Sequence, residues 1–462
     1  MTNELAAATY IGDLGDGLVC RWSTLADQAK IGHLMSMVWR DSPDDPPNPR
    51  APDRARITMS EDYPFMGPGD FAIVEDRGKP ECPVIACTCF WRHEWSYAGI
   101  KFGVGRPEYV ATDATYRNRG LVRTLFAMIH ARSAAEGHLA QAITGIPYFY
   151  RQFDYDFVLD LEGRRITYLA LVPVKKGDDP EPYSLRLATL DDVAHLVALY
   201  NQGRRTSLVW HEADEAFWHY TISCWDAVSL HGEIPATSAL NMRLYIITDS
   251  AGSVCGYTQL EGRRWGRALG VYDLQLYPHV NWGAAMPSLL RLLRDQALQT
   301  PTVKPDAEPV SEISFNLGRA HPIYAVLGDE LAPRFEPPYA WYLRVPDVPA
   351  FVRLITPVLE ARLTNSVLTG YTGELKFDFY RGGLRLQIEA GKIALVEPWR
   401  APAYGDNANA GCPPLTFLQL LFGYRSLAAL RAIYPDVWAN AEVTLLIDTL
   451  FPAQPSAVHP LG

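Results

Sequence analysis

Hydrophobic and polar positions in the first two thirds of the chain alternate between strand-like and helix-like spacing. Leu18–Trp22 predicts a strand, and the residues around Asp27–Arg40 have the spacing of an amphipathic helix. The same order returns later, where Tyr183–Ala188 predicts a strand and Thr189 can cap the helix that follows. The apolar face of that second helix is formed by Val193, Leu196, Val197 and Tyr200. The recurrence is typical of a repeated α/β unit.

A second pair of segments supports the repeat. Ile146–Phe153 and Ala320–Leu327 both place a tyrosine in an apolar helical stretch. Each is followed by a predicted strand that ends at a proline, Thr167–Pro173 and Trp341–Pro346 respectively. We therefore expect tandem α/β domains with mixed sheets that arose by duplication.

Two proline-rich stretches, Val172–Pro182 and Val345–Pro349, have the composition of linkers. Cutting there predicts domains at 1–173, 174–345 and 346–462, each of ordinary domain size. The third piece has short alternating runs followed by helical patterns, which predicts a small α+β module. Its predicted strands are Thr372–Tyr380, Leu384–Ala390 and Lys392–Val396. Its predicted helices are Pro414–Phe422, Ser426–Ile433 and Ala439–Leu450.

Composition and charge narrow the functional class. Lys+Arg 42 against Asp+Glu 52 gives a net charge of −10, and such a surface repels nucleic-acid backbones. With 48% hydrophobic residues the chain can build cores, so disorder of the whole chain is excluded. No apolar run is long enough for a membrane span, and the N-terminus lacks the pattern of a secretory signal. We expect a cytoplasmic protein without membrane or nucleic-acid partners.

The seven cysteines are odd in number and scattered, as in a reducing compartment. Cys82, Cys87 and Cys89 lie close to His93 in the sequence, so a zinc site is one interpretation of this cluster. The run around Cys87 and Cys89 is apolar and strand-like, however, which favours buried core thiols and no metal.

The chemically informative stretch begins at Tyr109. An extended strand runs into a basic turn with one glycine, Gly120, and a long amphipathic helix follows until Gly137. The first amides of such a helix lack intrahelical partners and attract an anion, and Arg117, Arg119 and Arg123 add positive charge. In isolation, an Arg-x-x-Gly turn is more often an ordinary solvated turn.

The surrounding order of elements resembles that of the GNAT superfamily of N-acetyltransferases, whose Arg-x-x-Gly turn holds the pyrophosphate of acetyl-CoA. Tyr150-Arg151-Gln152-Phe153-Asp154-Tyr155 also resembles a block of the enhanced intracellular survival (Eis) branch. Members of that branch have two acetyltransferase domains and a C-terminal domain similar to the sterol carrier protein fold. Here the stretches that resemble the last domain are Tyr371–Leu375 and Leu418–Gly423.

The resemblance implies an acetyl-CoA site in the first domain. Val110, Ala111 and Thr112 would pair with the pantetheine, and Gly145 and Ile146 would open the slot for the thioester. The pyrophosphate turn would consist of Arg117, Asn118, Arg119, Gly120, Leu121, Val122 and Arg123. Val122 stands where most of the superfamily has Gly or Ala, although the Eis branch also has an aliphatic residue there.

Two catalytic residues follow from the same resemblance. Tyr150 matches the general acid of the branch, and the terminal carboxylate, on Gly462 in this chain, matches its general base. The alternatives are a buried aromatic for Tyr150 and a frayed terminus for Gly462. Glu94 and His93, on a predicted strand, are the alternative bases.

The second domain lacks the basic turn. At the corresponding place, His279–Ala285, Trp282 stands beside the glycine, so we expect this domain to bind no cofactor. The acceptor would be a small-molecule or lysine amine, which Asp41, Asp44 and Asp45 could attract unless they only form a solvated loop. The branch also implies a homo-oligomer, a hexamer. The alternative function is a non-catalytic ligand- or lipid-binding protein that uses the C-terminal domain.

Overall fold

A computed structural model describes residues 2–231, 242–303, 306–402 and 407–459. The helices of the first third are α1 (Thr2–Ala6), α2 (Gln28–Val38), α3 (Ala51–Thr58) and α4 (Leu121–Ala135). Those of the middle third are α5 (Val193–Tyr200), α6 (Glu215–His231), α7 (Trp282–Gln299) and α8 (Ile323–Leu331). The last are α9 (Val348–Leu354), α10 (Thr356–Thr364), α11 (Pro414–Leu421), α12 (Leu427–Ile433) and α13 (Ala441–Leu450).

The strands form three sheets. The first eight strands are β1 (Ile11–Gly15), β2 (Leu18–Trp22), β3 (Phe71–Asp76), β4 (Val84–Tyr97), β5 (Ile100–Thr112), β6 (Ala140–Ile143), β7 (Asp156–Leu161) and β8 (Arg164–Tyr168). The next eight are β9 (Tyr183–Leu187), β10 (Val209–His211), β11 (Met242–Asp249), β12 (Val254–Glu261), β13 (Ala268–Leu276), β14 (Glu312–Phe315), β15 (Arg334–Glu336) and β16 (Tyr339–Arg344). The C-terminal part has β17 (Gly373–Asp378), β18 (Gly383–Glu389), β19 (Lys392–Pro398), β20 (Ala410–Gly411) and β21 (Trp438–Ala439).

The first two sheets exchange strands. The first sheet has the order β1-β2-β3-β4-β5-β6-β16-β7, with β10 beside β4, so β16 lies between two strands of the N-terminal part. The second sheet has the order β15-β8-β14-β13-β12-β11-β9, so β8 lies between two strands of the middle part. Both sheets are mixed, because β5 and β6 run parallel and so do β13 and β14. The proposed three-domain division stays a prediction, but neither of the first two sheets is complete without the other's segment.

Two matching ion-pair arrangements recur at the same place in the first two sheets, as expected for a repeated unit. Arg21 donates to both carboxylate oxygens of Asp27, at 2.8 and 2.7 Å, and Asp27 also accepts from the backbone amide and the hydroxyl of Thr24. The same contacts recur in the second sheet at Arg186, Asp192 and Thr189. In both copies the threonine begins a single 3-10 turn that leads into a helix, α2 or α5. The repeat therefore extends to individual hydrogen bonds.

Most predicted elements are present near their expected bounds, including β2, β9, β16 and α5. The strand predicted at Thr167–Pro173 is wrong, because β8 already ends at Tyr168 and a 3-10 turn, Leu169–Leu171, follows. A short apolar run has the same hydrophobicity in a strand and in a buried turn. Helices α9 and α10, before the third sheet, had no counterpart in the sequence analysis.

The C-terminal part has a five-stranded sheet in the order β19-β18-β17-β20-β21 with helices packed against it. Its apolar residues form one continuous core with those of the first sheet. The final described segment, 454–459, leaves this part and crosses to the first sheet, where Asp160 of β7 is bridged by Ala457. Within the described residues, no helix is both long and apolar enough to cross a membrane.

Candidate functional site

A slot opens where β5 and β6 separate. The two strands pair only through Val104 with Ala140 and Gly105 with Gln141, after which β5 continues alone toward Thr112. β6 turns instead to β16, which pairs with Ile143 on the other side. A cavity of about 280 Å³ lies in the gap. It is lined by Trp39, Arg54, Glu108, Tyr109, Val110, Ile143, Thr144, Gly145, Ile146 and Tyr150.

The strand residues predicted to meet a pantetheine lie along this gap. Ala111 and Thr112 pair on their other side with Cys87 and Ala86 of β4, so their position is set by the sheet. Val110 lines the slot directly, and Tyr109 before it has a φ of 54°, which marks an irregularity of β5 at the slot. Ile146, at the opposite edge, is 63% exposed and lies at the mouth.

The basic turn has the geometry of an anion site. Gly120 is the N-cap of α4 with a φ of 77°, and Asn118 also has a positive φ of 65°. The first helical bond runs from the amide of Thr124 to the carbonyl of Gly120, so the amides of Leu121, Val122 and Arg123 point out of the helix end. These amides attract negative charge because the helix dipole is positive there.

The three arginines of the turn are exposed around these amides. Arg119 lies over the ring of Tyr116, and Arg123 donates to Gln152 at 2.9 Å. Arg117 projects from the turn itself. A diphosphate fits this combination of free amides, a glycine with open space beside it, and guanidinium groups.

Tyr150 forms part of the wall of the slot. It lies on a 3-10 helix, Phe149–Phe153, and is only 5% exposed, with its ring near those of Phe126 and Tyr342. Within the described part of the chain, its hydroxyl has no hydrogen-bond partner in the protein. Burial raises the pKa of Tyr150, and the nearby Glu108 carboxylate and Tyr342 raise it further. The phenol therefore stays protonated at neutral pH and can donate into the slot.

Glu108 is a slot residue that the sequence analysis missed. Its Oε1 accepts from the amide and hydroxyl of Thr144, at 3.2 and 2.9 Å, and from Nε of Arg106 at 2.9 Å. The carboxylate therefore holds the two sides of the slot together. The available signal was an acidic residue directly before Tyr109, in the strand that leads to the basic turn.

A larger cavity of about 780 Å³ lies near the slot, and Arg54 lines both. Its wall includes aromatic side chains from three parts of the chain: Tyr63, Phe65, Trp210, Phe217, Tyr220, Trp265, Tyr272 and Trp282. At the far end, Asp160 is paired with Arg319 at 2.5 Å. Glu261 accepts from the amide of Gly270, and burial raises its pKa to about 7.

The C-terminal segment forms part of this wall. Pro455–His459 line the large cavity, and the carbonyl of Val458 accepts from the indole of Trp341 in β16 at 3.0 Å. Its backbone is also bonded to Leu208 and to the side chain of Ser207. Gly462, the predicted base, lies outside the described residues.

The two alternative bases differ in position. Glu94 pairs with Lys101 on the outer face of β4 and lines neither cavity, so it is not placed to take a proton there. His93 is fully buried, and its ring stacks on that of His211 with centroids 4.2 Å apart. Burial lowers the pKa of His93 well below its usual value, as do the neighbouring His211 and Arg106. His93 borders the cavity wall through Phe65 without lining it.

Other candidate residues lie away from the site. Cys87 and Cys89 are buried in β4, where burial raises the pKa of the Cys87 thiol to about 12. In the ranges that the structure describes, no group of His, Cys, Asp or Glu is arranged to hold a metal ion. Asp41, Asp44 and Asp45 are exposed on the loop between α2 and α3 and line neither cavity.

The corresponding place in the second sheet is built differently. Asn281 caps α7 by accepting from the amide of Ala284, so the helix end that would face an anion is already partnered. Tyr324, the counterpart of Tyr150, donates to the carbonyl of Phe315 at 2.8 Å and accepts from the amide of Leu317. The hydroxyl of Tyr324 is therefore engaged in hydrogen bonds to the backbone, whereas that of Tyr150 has no such bond among the described residues.

Comparison with known proteins identifies the class of the part of the chain that contains the slot. Residues 20–158 match the family model of the acetyltransferase (GNAT) domain. The match covers the slot, the basic turn and Tyr150. No protein of curated function matches the sequence of the chain.

Solved structures resemble the chain over nearly its whole length. A probable N-acyltransferase from Enterococcus faecalis V583 has a TM-score of 0.66 at 12% identity, with 96% of this chain and 99% of that chain covered. A GCN5-related N-acetyltransferase from Anabaena variabilis has a TM-score of 0.63 at 12% identity, with the same coverage. Eis1 from Mycobacterium abscessus has a TM-score of 0.56 at 14% identity, with 95% and 99% covered. At these identities the similarity establishes the fold, which is that of GNAT acetyltransferases.

Proposed function

We propose that this chain is an acetyl-CoA-dependent N-acetyltransferase of the Eis-like branch that acetylates a primary amine in a ternary complex. The observation that carries the proposal is the grouping of three features of the first sheet. They are the amides and arginines of the basic turn, the free side of β5 where it separates from β6, and Tyr150, which lines the slot between those strands. The large cavity shares Arg54 with the slot and has room for an acceptor.

Acetyl-CoA would supply the acetyl group as a thioester. Arg117, Arg119, Arg123 and the first amides of α4 would hold the diphosphate, and the strand residues Val110 to Thr112 would orient the pantetheine through backbone hydrogen bonds. Tyr150 would give its proton to the leaving sulfur, a task for which a protonated, poorly solvated phenol is suited. Glu108 would keep the two sides of the slot in register.

The acceptor amine must lose a proton, because alkyl ammonium groups have pKa values near 10. We assign this proton to the carboxylate of Gly462, by resemblance to the Eis branch. The described end of the tail supports the assignment, because Pro455–His459 line the large cavity, which has Arg54 in common with the slot. His93, neutral and without a partner for either ring nitrogen, is the alternative acceptor through a water molecule.

The lipid-binding alternative has no observation in its favour. Neither cavity is lined by residues 346–452, and the inward residues of the third sheet, such as Phe377 and Leu386, are packed together with Phe417 of α11. The similarity of this part to the sterol carrier fold stays a prediction, as do the hexamer and the cytoplasmic location.

Release of CoA thiol in the presence of acetyl-CoA and a panel of amines tests the proposal directly. We expect amine-dependent release that Tyr150→Phe reduces. A chain that binds acetyl-CoA but releases thiol with none of the amines would contradict the catalytic assignment.

A further inference from the structure

Two arginines line the large cavity, which we assign to the acceptor, and their positive charge is not balanced by a carboxylate among the described residues. Arg50 and Arg54 lie one helical turn apart at the start of α3, where the amide of Arg54 donates to the carbonyl of Arg50 at 3.0 Å. Residues four apart share one face of a helix, and both side chains line the large cavity. Among the described residues, neither guanidinium has a carboxylate within ion-pair distance.

Their contacts are aromatic instead. The Arg50 guanidinium lies 3.6 Å from the ring centroid of Trp265, on the hairpin between β12 and β13, and that of Arg54 lies 5.8 Å from the centroid of Tyr109. Burial lowers the pKa of Arg50, and the positive charge of Arg54 lowers it further. Two like charges are thus held together at the wall of a partly buried cavity, which is unfavourable unless an anion joins them.

A second donor on the same wall lacks a partner. Tyr63 lines the large cavity, and its buried hydroxyl has no hydrogen-bond partner among the residues that the structure describes. The rings of Phe65 and Tyr220 each lie 5.8 Å from that of Tyr63 between centroids, and Phe217 lies 5.8 Å from Phe65. The wall therefore offers an apolar aromatic surface together with donors for an anion.

We propose that the acceptor is an amine that also carries a carboxylate on an apolar body, as a hydrophobic amino acid does, and that Arg50 and Arg54 bind this carboxylate. The inference rests on the proposed acetyltransferase function. Two adjacent guanidinium groups bind a carboxylate through charge-assisted hydrogen bonds, and the aromatic wall packs against the body. An amine with only positive charge would be repelled by the same pair.

The anion belongs to the acceptor and not to the acyl donor. The turn at residues 117–123 already provides for the diphosphate, beyond the other end of the slot. Arg54 lines both the slot and the large cavity, whereas Arg50 lines only the large cavity. The pair therefore lies at the cavity that we assign to the acceptor. A donor such as succinyl-CoA, whose acyl group ends in a carboxylate, is the competing source of the same chemistry.

Phenylalanine, phenylalaninamide and phenethylamine separate these possibilities, because they share an aromatic body and an amine and only the first has a carboxylate. With acetyl-CoA we expect the highest kcat/KM for phenylalanine. Arg54→Gln and Arg50→Gln should each raise KM for phenylalanine by about 10- to 100-fold, and KM for phenethylamine should not rise, because a repelling charge is removed. Arg54→Lys should recover part of the loss.

Arg56→Gln is the matched control, because Arg56 lies on the same helix but is exposed and contacts only Asp53. Equal use of phenylalanine and phenethylamine, or an equal loss for both in the arginine variants, would overturn the inference. So would a preference for succinyl-CoA over acetyl-CoA that disappears in Arg54→Gln, since the carboxylate would then belong to the donor.

Tryptophan fluorescence can measure the binding of phenylalanine in the absence of acetyl-CoA. This measurement distinguishes a failure of the acetyltransferase proposal from a failure of the carboxylate site. If no amine causes thiol release but phenylalanine binds and Arg54→Gln weakens that binding, the acetyltransferase proposal fails and the carboxylate site stands. If other amines are acetylated and phenylalanine neither binds nor reacts, the carboxylate site fails and the acetyltransferase proposal stands.

Discussion

The ring of Tyr150 lies directly against the α-carbon of Gly145: a methyl group on Gly145 would be 2.0 Å from Cε2 and 2.2 Å from Cδ2 of that ring. Gly145 belongs to the chain that leaves β6, and Tyr150 belongs to the 3-10 turn that follows. The absence of a side chain at Gly145 therefore decides where the phenol of Tyr150 can lie in the slot.

This contact predicts that Gly145→Ala misplaces the general acid. We expect kcat to fall by up to about 10²-fold, since a shift of about 1 Å in a catalytic group can cost that much. Affinity for acetyl-CoA, measured by calorimetry, should change little. Gly283→Ala is the control, because a methyl group there meets nothing closer than 3.4 Å. A full kcat in Gly145→Ala would show that the position of Tyr150 does not matter.

Tyr150→Phe should lower kcat by about 10²-fold, the scale of a positioned acid. Its hydroxyl matters when the thiolate leaves, so the Kd of acetyl-CoA should stay the same. If the double variant with Gly145→Ala is no slower than the slower single variant, the two changes act on one group. An unchanged kcat in single-turnover measurements would make Tyr150 a packing residue.

The basic turn predicts one CoA site per chain, in the first domain. Arg117→Gln combined with Arg119→Gln should weaken CoA binding by about 10- to 100-fold, because each charged contact to the diphosphate is lost. Arg56→Gln should leave it unchanged. Titration calorimetry that finds two equivalent CoA sites per chain would contradict the expectation for the second domain, whose helix end is capped by Asn281.

The strand exchange predicts that the first domain does not fold alone. In a fragment of residues 1–173, β6 and β7 would lose β16, which lies between them, and β8 would lose its partners in the second sheet. We expect such a fragment to aggregate and to lack a cooperative thermal transition. A fragment in which residues 339–345 are restored through a linker, with β8 removed, should regain one. Cooperative unfolding of the simple fragment would show that the exchanged strand is dispensable.

Histidines whose pKa values are lowered in the folded chain predict a loss of stability in acid. Burial lowers the pKa of His130 and His211 to about 3 and that of His321 and His459 to about 4. In the unfolded chain these histidines become protonated near pH 6.5. In the folded chain they become protonated only near the lowered pKa values of about 3 to 4. Stability is therefore complete above about pH 6.5 and falls as the pH drops toward 4, with a slope of up to about 1.4 kcal/mol per pH unit for each histidine.

Glu261 works in the opposite direction, because its pKa is raised by burial to about 7, so its contribution is complete near pH 4.5 and is lost as the pH rises toward 7. Denaturant unfolding between pH 4 and 8 measures the net effect. His459→Asn should flatten the acidic slope, and His33→Asn, at an exposed position, should not. An acidic slope that is identical in both variants would contradict the buried state of His459.

The sequence by itself determined the elements that local pattern controls. The repeat was visible because β2 and β9 are followed by the same threonine-capped turn, and the basic turn before α4 was visible because its arginines and glycine are adjacent in the chain. Tyr150 was found through a block of residues that are also contiguous. Each of these features depends on hydrogen bonds and periodicity within a few residues.

Only the tertiary structure decided which distant segments meet. The exchange of β8 and β16 depends on pairing between strands far apart in the chain, and their apolar patterns fit either sheet equally well. Nothing in the local sequence singled out Arg50 and Arg54, and only the fold places both on a cavity wall, with Arg50 over the ring of Trp265. Contacts between distant segments produce no periodic pattern in the sequence. Whether a residue is buried, and whether its charge is paired, depends on neighbours from other parts of the chain.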